Sequence, residues 1–166
     1  MTRRYAGFAL AIVHAALMGS LGLKLLVDRQ RLPRGWARTA PFDPSTPLRG
    51  RYVRLALEIP VDSVPLEPSG YGISGVRLRA VDGRVVGELD DSVRSPRVQL
   101  QLGGGIPSSR LAEAVAFFIP EHVPDPSRRP PGEELWAEVT IPRGGPPRPI
   151  RLGVMKDGRL TPLDLR

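Results

Sequence analysis

Residues 47–59 read PLRGRYVRLALEI, and the portion RYVRLALEI decides the fold class. Val53, Leu55, Leu57 and Ile59 fall on one face, with Tyr52, Arg54, Ala56 and Glu58 on the other. A period of two is expected of a strand with one buried side. The same pattern recurs downstream. GVRLRAVDGRVVGEL breaks at Asp82-Gly83, where both residue types tolerate positive φ, so a hairpin is expected. RVQLQL alternates up to the run Gly103, Gly104, Gly105, and AVAFFI is a short apolar run. In ELWAEVTI the residues Leu135, Ala137, Val139 and Ile141 share a face, and IRLGVM and RLTPLDL flank Lys156-Asp157-Gly158-Arg159, a second hairpin turn. SSRLAEAVA is the one stretch read as a short helix. Short strands punctuated by Gly and Pro imply an all-β fold, a small sandwich or partly open barrel.

The N-terminus has a different character. Residues 5–23, YAGFALAIVHAALMGSLGL, carry no charge inside and are bracketed by Arg3, Arg4 and Lys24. Nineteen residues at about 1.5 Å rise span about 28 Å, close to the bilayer hydrocarbon thickness. Apolar residues continue through Leu25, Leu26 and Val27 with no small-x-small cleavage site, so an uncleaved transmembrane helix is expected rather than a signal peptide. His14 lies near its middle, where an ionisable group can mark a proton path or a helix partner, but the segment holds no second ionisable residue to continue a relay. Ala11, Ala15 and Gly19 repeat at spacing four, which would let another helix approach.

Charge divides in the same way. The chain of 166 residues has a formal charge of +7, of which residues 1–40 hold +6 and residues 41–166 only +1. A nucleic-acid binder needs its cations on the folded surface. Here they flank the apolar helix, so nucleic acid is not an expected partner. The organisation expected is a basic N-terminus and anchor over residues 1–27, a stalk rich in Pro and Arg over 28–47, and a β domain over 48–166. Trp36 reads as an interface or linker residue. The five cations after the helix favour a cytoplasmic domain, whereas the short basic N-terminus has the form of a signal anchor that exports the domain behind it.

A basic N-terminus, one membrane helix, Asp43-Pro44, then Gly50, Tyr52 and Leu55, followed by FFIPE with Pro120-Glu121 and the closing IRLGVMKDGRL, resembles the GDYXXLXY family of bacterial membrane-anchored proteins. Arg51 stands where the family has Asp, and Leu57 where it has the final Tyr. The resemblance implies a cytoplasmic N-terminus and a β domain outside the bacterial inner membrane. On it and on the signal-anchor form, an extracytoplasmic domain is expected.

Chemistry-bearing residues are sparse. Cysteine is absent, so no thiolate nucleophile or sulfur-based zinc site exists. A serine nucleophile would need a buried lysine as its base. The position eight before Gly50 is Phe42, and Lys156 is the only lysine beyond residues 1–27. His122 beside IPE reads as a loop residue, Asp90-Asp91 as solvated charges, and Pro124 to Gly132 as an exposed loop. The GGG run lacks the lysine and spacing of a phosphate loop. No catalytic, metal or cofactor residue is assigned. The expected function is that of an accessory or interaction protein rather than an enzyme, with the lipid bilayer and another integral membrane protein as partners. The alternative is an enzyme with a carboxylate site formed by Glu121, Glu133 and Glu134.

Overall fold

The computed structural model describes residues 2–41, 52–62, 72–101 and 108–165. They form two compact units, residues 1–32 and 33–166. The first is helix α1, Thr2–Arg31. It carries no acid in its first turn and ends with Arg29 and Arg31 in its last, where cations complement the helix dipole. From Gly7 to Leu26 every residue is exposed, and residues 7–31 are long and apolar enough to cross a membrane.

The second unit is all β, with ten strands among the described residues: β1 (Arg34–Pro41), β2 (Tyr52–Glu58), β3 (Gly72–Val81), β4 (Arg84–Leu89), β5 (Arg97–Gln101), β6 (Ser108–Leu111), β7 (Val115–Phe118), β8 (Glu133–Thr140), β9 (Arg148–Lys156) and β10 (Arg159–Pro162). Strands β1-β4-β3-β5-β6-β2 follow one another in the sheet, and β2 returns to β1, closing a six-stranded barrel. Strands β8, β9 and β10 continue the sheet from the other edge of β1, and β7 runs beside β2. Closure removes the free edges that an open sheet would leave in the ring.

The strand that decided the fold class behaves as its alternation requires. Val53, Leu55, Leu57 and Ile59 are buried and join Val76, Val85, Val98 and Leu152 in one core. The outer face is less solvated than a single buried side implies, because Ala56 is buried too, opposite Ala40 in register. Both expected hairpins form. Asp82 and Gly83 have φ of 49° and 74°, and Asp157 and Gly158 have 50° and 76°, the positive values that a tight two-residue turn demands.

Three expectations are corrected. Residues 28–41 are not a stalk: 28–31 complete the helix, and Arg34–Pro41 is a strand hydrogen-bonded on both edges, while 42–47 lie outside the described residues. Its inward residues Gly35, Ala37 and Thr39 are too small to produce a visible hydrophobic alternation. SSRLAEAVA forms no helix; its ends enter β6 and β7, which lie successively along β2. The loop after β7 is not wholly exposed, since Pro126 is fully buried. Asp43-Pro44, Gly50, Arg51 and the GGG run lie outside the described residues.

Candidate functional site

The two tryptophans of the chain stand on neighbouring strands. On β1 the outward residues are Arg34, Trp36 and Arg38; on β8 they are Glu134, Trp136 and Glu138. Antiparallel register sets Trp36 opposite Glu138 and Arg38 opposite Trp136. The charges then pair across the strands. Arg38 reaches Glu134 at 3.0 Å and Glu58 of β2 at 3.6 Å. Glu134 also accepts a hydrogen bond from the Trp136 indole N–H at 3.2 Å. Arg110 meets Glu58 at 3.5 Å, and Arg151 of β9 meets Glu138 at 2.8 Å.

Both indoles carry a guanidinium. Arg151 lies 5.5 Å from the Trp36 ring centre and Arg84 of β4 lies 5.4 Å from that of Trp136, within the range of cation–π attraction. Trp36 reaches past β8 onto β9, where Gly153 leaves room for it. A Cβ at Gly153 would come within 2.8 Å of the ring. Trp36 is therefore a packed strand residue rather than part of a linker.

Beside this lattice the barrel wall has a three-sided notch. Strands β1 and β2 separate beyond the pair Arg38 and Glu58, and each then lands on β4. Trp36 N–H donates to Gly83 C=O at 2.8 Å, and Gly87 N–H donates to Pro60 C=O at 2.8 Å. The landing of β1 is so close that a Cβ on Gly35 would meet the Arg84 backbone at 2.9 Å. The resulting cavity has a volume of about 270 Å³. Its floor is Ala37, Ile59 and Val85, all buried; its walls and rim are Trp36, Trp136, Arg38, Glu58, Arg84 and Ser109.

The residues singled out in the sequence lie elsewhere. Tyr52 faces Phe118 and Leu55 faces Val115 in the β2–β7 ladder, so the two segments that carry the family resemblance are hydrogen-bonded neighbours. The Tyr52 and Phe118 rings lie 6.1 Å apart at 59°. The Tyr52 hydroxyl is buried with no hydrogen-bond partner among the described residues. Leu55 is a core residue, Pro120 is half-buried and its C=O accepts from Val123 N–H, and Glu121 is exposed in that turn with His122.

Of the three glutamates, Glu133 and Glu134 line a cleft of about 220 Å³ with Arg38, Arg129 and Ser127, whereas Glu121 is not part of it. Each of the two is engaged: Glu133 with Lys156 at 3.3 Å and Arg129 at 3.8 Å, Glu134 with Arg38. Asp90 is held by Arg77 and by Ser92 through both its hydroxyl and its N–H. The hydroxyl of Ser92, then Arg77 and the Ser92 N–H, lower its carboxyl below the usual range against a small opposing effect of burial. No group of three or more His, Asp or Glu side chains suited to a metal occurs among the described residues.

Sequence reasoning missed the notch, though one signal was present. Arg-x-Trp-x-Arg in one segment and Glu-x-Trp-x-Glu in another are complementary outer faces, one hundred residues apart. No protein-family model matches the chain, and no curated protein or solved structure is significantly similar to it.

Proposed function

We propose that this chain is a single-pass, membrane-anchored interaction protein that presents its β barrel outside the bacterial inner membrane. The observation that carries the reading is the exposed apolar surface of α1. Phe8, Leu10, Ile12, Val13, Leu17, Met18, Leu21, Leu23, Leu25 and Leu26 are between 46% and 79% exposed. A soluble protein rarely leaves so large a contiguous apolar surface to water, and a helix of this length matches a bilayer of about 30 Å. The resemblance to the GDYXXLXY proteins and the signal-anchor form of the N-terminus support the outward orientation. A barrel outside the membrane, with tryptophan and arginine gathered at one notch, has the composition of a protein-binding patch. Its partners are then the bilayer and a second integral membrane protein.

Two measurements test this. Alkaline carbonate should leave the chain in the membrane pellet; release into the supernatant would overturn the anchor. Protease added to intact spheroplasts should digest the β unit, residues 33–166. Protection until lysis would reverse the orientation.

A further inference from the structure

We infer that the notch between β1, β2 and β4 takes an apolar side chain with an adjoining carboxylate, supplied by an extended acidic segment of a partner protein. The inference rests on the interaction role proposed above and names the chemistry of the partner. Its first support is a charge surplus. Two guanidinium groups, Arg38 and Arg84, and one carboxylate, Glu58, line the notch; ion pairs tie Arg110 and Glu134 to them, and Arg151 pairs with Glu138 on the adjoining lattice. The three carboxylates are engaged by Arg38, Arg110 and Arg151. Arg84 is the remainder: among the described residues it has no carboxylate partner, and its guanidinium rests on the Trp136 ring at the rim. A cation already stacked on an aromatic ring is held in place to receive a carboxylate on its donor edge.

The second support is size and lining. A volume of about 270 Å³ lies below the ~300–1,000 Å³ usual for small-molecule sites. It suits the anchor side chain of a polypeptide, seated on Ala37, Ile59 and Val85 against the indoles. An apolar anchor in a desolvated pocket beside an arginine is how interface energy is commonly concentrated.

Both tryptophans of the chain border the notch, so intrinsic fluorescence reports on it directly. The full chain in neutral detergent micelles is titrated with the acetylated peptide Ser-Glu-Phe-Asp-Ser, which lacks tryptophan. Expected is a saturable change in emission that weakens as salt is raised. The Gln/Asn version of the peptide and the version with Ala for Phe should each bind at least tenfold more weakly. Arg84→Ala should lose at least tenfold in affinity and Arg84→Lys should recover part of it, whereas Arg143→Ala, away from the notch, should bind as the parent does. Circular dichroism checks that each variant is folded. Equal binding by Arg84→Ala, equal binding of the neutral peptide, or no saturable change would overturn the inference. So would saturable binding of decanoate with none of the acidic peptide, which would assign the notch to a fatty acid. A chain that stays in the carbonate pellet and is digested in spheroplasts, yet ignores the peptide, refutes this occupant alone and leaves the anchored orientation standing.

Discussion

Along one edge, strand β1 pairs five residues with β8 in a continuous antiparallel ladder; along the other it pairs four with β2 and then a single residue, Trp36, with β4. The continuous edge places side chains at fixed cross-strand spacings, and its outer face becomes a lattice of paired charges. The interrupted edge leaves a gap whose floor is core and whose rim is charged. The notch opens where this ladder fails, and there the buried Ala37, Ile59 and Val85 meet the exposed Arg38 and Arg84.

The sharpest way to break the comparison is in the core of β2, the strand that β1 pairs with along its interrupted edge. Leu55→Asp places a charge at a site only 1% exposed in β2, and a loss above about 4–5 kcal/mol should abolish the cooperative thermal transition seen by circular dichroism. Arg54→Glu, on the outer face next to it, should cost no more than about 1 kcal/mol. Equal tolerance of the two would remove the inward assignment of Val53, Leu55, Leu57 and Ile59.

Gly35→Val tests the interrupted edge. Its side chain would press on the Arg84 and Val85 backbone, and overpacking of this kind costs about 1–3 kcal/mol. Hydrogen exchange should quicken at the Trp36 amide, which bonds to Gly83, while amides directed to β8 keep their protection. Uniform quickening along β1 would mean that both edges act as one unit.

Asp90 supplies the smallest effect, away from β1. Its carboxyl is lowered by Ser92 and Arg77, so it stabilises the fold above the ordinary carboxylate value of about 3.9, and the contribution is lost as pH falls through the lower folded value. Asp90→Asn should therefore lower the melting temperature slightly at pH 7, and the difference should vanish in stronger acid. A difference that persists there would mean that Asp90 acts through shape rather than charge.

Strands with large inward residues were legible in the sequence. Val53 to Ile59 and Leu135 to Ile141 announce their faces, and Asp-Gly marks both hairpins. Strand β1 was not legible, because its approach to β4 excludes large side chains and leaves Gly35, Ala37 and Thr39 inward. Strand β6 was hidden by polarity: Ser109 is buried and its hydroxyl donates to Ile59 C=O, a long-range bond that no local pattern encodes. The notch was illegible for a topological reason, since Trp36, Ile59, Arg84 and Trp136 come from four separate stretches of chain and meet only when the ring closes.

Ala37 faces Ala137 across the β1–β8 ladder, so β1 must be synthesised one hundred residues before that partner exists. At about 5–20 residues per second, the interval is about 5–20 s. During it, β1 presents an open edge that other chains could join. The small inward residues that conceal the strand from pattern reading also give it little apolar surface with which to recruit a wrong neighbour while it waits.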